Sequence, residues 1–158
     1  MTPGTVVLLG NLPAEMPSLN RLVPEFGWSL DTASDFDQLR SLLTVRRPVA
    51  ILLDANGLGL PCKMALDAVR EIDSQTPVIV CHRFSDPVDW HELARAGAFH
   101  ALALPFNLGE VRQSLAFVWA ARFRRARNPL VMPRVAAHDA LTSDDGPTTA
   151  VAARVSAR

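Results

Sequence analysis

Asp54 closes the most continuous apolar run of the chain, Val49-Ala50-Ile51-Leu52-Leu53. A run of that length and composition reads as a strand buried on both faces. A carboxylate at its end stands where a ligand site lies in an open parallel α/β sheet. The pair Cys81-His82 closes a second run, Val78-Ile79-Val80. A cysteine beside a histidine raises the question of an activated thiol. Successive residues of a strand point to opposite faces, so the two cannot serve one site, and Cys81 reads as core. His82 is left to hydrogen-bond Asp54, as a structural replacement for a bound cation and a pH-sensitive contact. His91 and His100 stand apart and read as surface residues.

Other chemistries lack their residues. Gly57 and Gly59 do not make a phosphate loop, because no GxxxxGK[ST] occurs and no GxGxxG follows a strand. Cys62 and Cys81 have no metal-ligand spacing and read as free, reduced thiols. The formal net charge of +0 gives no electrostatic footprint for nucleic acid or an acidic membrane surface. No apolar run approaches the roughly 20 residues needed to span a bilayer, and no signal peptide is visible. A cytoplasmic protein is the expectation. A length of 158 residues with 49% hydrophobic composition supplies one packed domain plus a tail.

The elements that must position Asp54 alternate in type. Val6-Val7-Leu8-Leu9, ending at Gly10-Asn11, reads as the first strand. A helix from Met16 to Phe26 is interrupted by Pro24, which shortens or bends it. Gly27–Ala33 reads as a more exposed second strand, and Asp35 as the N-cap of a helix through Leu39, Leu42 and Leu43. After Asp54 come a loop, a helix from Met64 to Asp73, the strand Pro77–Cys81, a helix from Pro87 to Ala96 closed by Gly97, the strand His100–Leu104, and a long helix from Glu110 to Arg127. Five β-α units with buried strands imply a parallel sheet covered on both sides, for which the order 2-1-3-4-5 is one of few topologies. The stretch Asn128–Arg158, rich in Ala, Thr, Ser and Pro, is expected to be a disordered tail after a domain spanning 1–127.

From about Thr5 to Arg125 the chain resembles a response-regulator receiver domain of two-component signalling. Pro48-Val49-Ala50-Ile51-Leu52-Leu53-Asp54 resembles the phosphoacceptor strand, and Pro77-Val78-Ile79-Val80 the fourth strand. Ala96-Gly97-Ala98 with Leu104-Pro105-Phe106 resembles the stretch that ordinarily ends in Lys-Pro-Phe. The resemblance implies a flavodoxin-like (βα)5 doubly wound sandwich with strand order 2-1-3-4-5. In that family a phosphoryl group is transferred to the aspartate, with Mg²⁺ and a lysine stabilising the charge of the transition state.

Mapped residue by residue, most of that apparatus is replaced. Gly10 and Asn11 stand where the acidic pair would hold Mg²⁺, a hard cation that takes oxygen ligands. The metal site keeps Asp54, with the backbone carbonyl of Asn56 and the side-chain carbonyl of Asn11 as the other oxygens. His82 replaces the small hydroxyl, Leu104 the lysine, and Ala101 the aromatic switch residue. Asp54 is expected to be a leftover carboxylate, solvated or bonded to nearby backbone N–H groups.

Partner surface is expected at Trp90, Ala101, Phe106 and Trp119, because the resemblance points to the face of the fourth helix, fifth strand and fifth helix. Phe117, Trp119 and Phe123 cannot all face the core, and Arg122, Arg124, Arg125 and Arg127 suit a helix C-terminus. The expected function is an atypical single-domain receiver, not an enzyme, acting by protein contacts with phosphorylation impaired or absent. Its partners would be a histidine kinase, another receiver, an output protein or a second copy, without nucleic acid or membrane. No cofactor is expected on that reading. The alternatives are a conventional receiver phosphorylated on Asp54, to which Mg²⁺ belongs, and a small flavodoxin-like ligand-binding or enzymatic domain.

Overall fold

A computed structural model describes residues 3–127. The expected tail, 128–158, lies outside the described residues. Five strands, β1 (Gly4–Leu9), β2 (Trp28–Ala33), β3 (Ala50–Asp54), β4 (Val78–Arg83) and β5 (His100–Leu104), alternate with five helices. These are α1 (Met16–Leu22), α2 (Phe36–Val45), α3 (Cys62–Ile72), α4 (Trp90–Arg95) and α5 (Leu108–Arg127). The strands form one sheet in the order β2-β1-β3-β4-β5, and every pairing is parallel. The strand order implied by the resemblance is the one found.

The alternation of side chains along each strand divides the core into two layers. Val6 and Leu8 of β1, Ala50 and Leu52 of β3, Ile79 and Cys81 of β4, and Leu102 of β5 meet α1 and α5. Val7, Leu9, Ile51, Leu53, Val78 and Val80 meet α2, α3 and α4 through Leu39, Leu66, Val69 and Leu93. Each buried Leu or Ile contributes about 1.5–3 kcal/mol, so the central strands carry much of the stability.

Local signals decide where the elements stop. Pro24 ends α1 at Leu22 and turns the chain into a 3₁₀ helix over Val23–Phe26. Asp35 caps α2 by accepting from Gln38 N–H at 2.8 Å. The helix expected from Pro87 starts only at Trp90, because the Asp89 side chain accepts from His91 and Glu92 N–H and sets the N-cap there. Asn107 caps α5 in the same way through Gly109 and Glu110 N–H, so that helix begins before Glu110. Strand β4 runs past Cys81 to Arg83, which keeps pairing with Leu104 of β5.

At the amino end of the sheet, Arg70 of α3 donates to the carbonyls of Ser74, Thr76 and Gly97. It ties α3 to the approaches of β4 and β5. Burial holds its pKa below the usual arginine range, outweighing the nearby negative charge of Asp73.

Candidate functional site

Asp54 closes β3, and the backbone of the loops after β1 and β3 closes over it. Asp54 is 2% exposed. One carboxylate oxygen, Oδ2, accepts from the N–H of Asn11 at 3.1 Å, and the other, Oδ1, accepts from the N–H of Gly57 at 3.1 Å. The loops after β1 and β3 are thereby pinned to one side chain. The close approach depends on two glycines. Gly10 has φ +128°, and a Cβ there would lie 2.6 Å from the Asp54 Cβ and 2.8 Å from its carbonyl oxygen. A Cβ at Gly57 would overlap Asp54 Oδ2.

A second carboxylate extends the closure. Glu15 stands at the N-cap of α1, yet its side chain turns away from the helix and accepts from Phe106 N–H at 3.2 Å. The loop after β5 is thus joined to the loop after β1. Leu104, at the end of β5, packs against the core layer under α1 and α5, so that strand end offers no charge. Asn56 is exposed; its backbone carbonyl accepts from Gly59 N–H at 3.0 Å. With its amide oxygen toward Arg83, the side chain accepts from that guanidinium at 3.2–3.3 Å.

The hydrogen bond expected between His82 and Asp54 does not form. Asp54 is in register with Cys81, so these two share a face of the sheet, while His82 falls one residue further on the opposite face. The His82 ring instead places Nδ1 3.2 Å from the Arg83 carbonyl and lines a recess with Val88, Trp90, His100 and Ala101. His100, expected on the surface, is half-buried there. Cys81 is core, as its position in the strand predicts; burial pushes its thiol far up, helped by the charges of Asp54 and Glu15. Burial also raises Cys62, with Asp86 and Asp54 adding. Neither thiol is an activated nucleophile.

Of the residues expected on a partner surface, Trp90 and Trp119 are each about two-fifths exposed (41% and 42%). Ala101 lines the recess beside Trp90, and Phe106 is half-buried against the core. Phe117 and Phe123 are exposed as well, and Trp119 packs on Phe123 in a tilted arrangement with ring centroids 4.6 Å apart.

No protein-family model matches this sequence, and no curated protein is significantly similar to it. Solved structures are similar. The receiver domain of the TMAO respiratory system response regulator TorR superposes with a TM-score of 0.64 at 23% identity, covering 77% of this chain and 98% of that one. Chemotaxis response regulator CheY4 of Vibrio cholerae gives 0.61 at 21% identity, covering 74% and 99%. The receiver domain of a sensor histidine kinase from Pseudomonas aeruginosa PAO1 gives 0.58 at 20%, covering 75% and 99%. The chain has the receiver-domain fold. The Pseudomonas structure holds a magnesium ion in its active-site cleft. The corresponding end of this receiver fold lacks the donor set for one. Each Asp54 oxygen already accepts from an N–H group, the Asn56 carbonyl is in a turn, and positions 10 and 11 carry no carboxylate. Among the described residues no three His, Cys, Asp or Glu side chains cluster as metal ligands would, and no helix is long and apolar enough to cross a membrane.

The sequence carries a signal for the Gly57 contact. Asp54-Ala55-Asn56-Gly57 has the form of a turn in which an Asp side chain accepts from a backbone N–H ahead of it. Glu15 had no such signal, because its partner lies 91 residues away.

Proposed function

We propose that this protein is a receiver-type signalling module that acts through protein contacts, with Asp54 serving as a structural carboxylate instead of a phosphoryl acceptor. One observation carries the reading: both carboxylate oxygens of Asp54 are engaged by backbone N–H groups, beneath loops that leave it 2% exposed. An acceptor aspartate needs an oxygen that the donor can reach, and a phosphoryl transition state needs nearby positive charge. Leu104 supplies none. Partners of the expected class are a histidine kinase, another receiver or an output protein, met through exposed aromatics such as Trp90 and Trp119. A second copy of the chain could use the same face.

The test is incubation of the full chain with acetyl phosphate and Mg²⁺, and separately with beryllofluoride and Mg²⁺. The expected result is no phosphoryl mass increment and no amide shift at Asn11, Asp54 or Gly57. An adduct present in the wild type and lost in Asp54→Asn would establish the conventional phosphoacceptor instead.

A further inference from the structure

We propose that the recess between the end of β4, α4 and β5 is a binding site for a small planar aromatic molecule carrying a hydrogen-bonding group. Its walls are His82, Val88, Trp90, His100 and Ala101, and its volume is about 320 Å³. Ligand cavities run from about 300 to 1,000 Å³, so this one is sized for one or two rings.

The recess exists for local reasons. Ala101 pairs with Val80, whose side chain lies in the layer beneath α2, α3 and α4, and on that same face it contributes only a methyl group. The late start of α4 at Trp90 keeps Pro87–Asp89 out of the helix.

The chemistry of the walls selects the occupant. Trp90 meets His100 edge-on, with centroids 6.3 Å apart and planes at 76°, and the indole remains 41% exposed. Two rings at right angles with a gap beside them accept a third in the offset or edge-on geometry that aromatic groups favour. Val88 and Ala101 supply the apolar remainder. The polar component is two imidazoles. His82 Nδ1 lies against the Arg83 carbonyl and donates to it, so that in the neutral ring Nε2 is an acceptor. The His100 ring makes no hydrogen bond among the described residues. No carboxylate, lysine or arginine lines the recess. A purely aliphatic occupant would leave both imidazoles without partners, whereas an aromatic ring bearing a donor or an acid group satisfies them.

The test titrates the ¹⁵N-labelled full chain with indole, benzoate and cyclohexanol, following amide and indole N–H shifts. Indole or benzoate should give saturable shifts at His82, Trp90 and Ala101, with a dissociation constant on the order of 1 mM for so small a probe. Cyclohexanol should bind at least about tenfold more weakly. Ala101→Phe fills the recess, and Trp90→Leu removes its aromatic wall on the exposed start of a helix; each should weaken binding about tenfold with thermal unfolding still cooperative. Failure of both aromatics to saturate would overturn the proposal. So would equal binding of cyclohexanol, or unchanged binding in both variants. None of these outcomes depends on whether Asp54 accepts a phosphoryl group.

Discussion

At the end of β3 the chain closes on itself; at the end of β4, one strand away, it leaves room. Around Asp54, two glycines bring backbone to within contact of a carboxylate, and every oxygen of that carboxylate has a partner. Around Ala101, a small residue sits among rings whose polar atoms are largely uncommitted. The same sheet thus holds one region in which every added atom collides and one in which added atoms have space. In a receiver fold this reverses the usual expectation, because the aspartate end is the region ordinarily kept open for chemistry. What the oxygens of an aspartate touch says more about its role than its presence does.

The contrast can be broken experimentally, most severely at the glycines. Gly10→Asp would restore an acidic residue next to Asp54, but it forces φ +128° on a side chain and drives its Cβ into Asp54. The expected result is a loss of about 3 kcal/mol in urea unfolding and no gain in Mg²⁺ affinity. Wild-type-like stability with tight Mg²⁺ binding would show that the edge is open after all. Asp54→Ala leaves the N–H groups of Asn11 and Gly57 unpaired and should cost about 2 kcal/mol by the same assay. Asp54→Asn keeps one acceptor and should cost about half of that.

At the opposite end of the sheet, Asp73 provides a reference titration. Burial pushes its carboxyl up, but bonds from the Thr76 hydroxyl and the N–H groups of Gln75 and Thr76, with the charge of Arg70, outweigh burial and hold it below the usual range. A depressed folded pKa gives stability that is present above the unfolded value near 3.8 and is lost as pH falls through the folded one. Urea midpoints of Asp73→Asn should accordingly fall less than those of the wild type on acidification below about pH 4. The smallest effect belongs to the open region: Ala101→Leu should leave stability unchanged or raise it by up to about 1 kcal/mol, read as the thermal midpoint. A large loss there would mean that the recess is not free space.

The apolar runs of β1, β3 and β4 made the sheet legible, because strands buried on both faces leave uninterrupted Val, Ile and Leu. Asp35 and Pro24 marked their helix ends through short-range chemistry that any sequence displays. The start of α4 was misplaced at Pro87, since proline suits a first turn while the Asp89 cap two residues later overrides it. At the site, the resemblance sets Gly10, Asn11 and Leu104 against charged residues and His82 against a hydroxyl. What takes the place of those groups was not legible. The placement of His82 beneath α4 follows from the register Asp54–Cys81, a property of two paired strands and not of either alone. The Glu15–Phe106 bond likewise exists only once the first and last β-α units meet.

That meeting has a consequence for the making of the protein. Val6 and Leu8 of the first strand share a core layer with Val111, Leu115 and Val118 of the last helix, and the Glu15–Phe106 contact spans 91 residues. Synthesis is vectorial, so this core layer has α1 but lacks its α5 half until almost the whole domain has left the ribosome. A nascent chain stopped before Leu108 keeps the α5 side of that layer available to chaperones or to other unfinished chains. Helix α5 is in this sense the clasp of the fold, the last part of that core layer to be made.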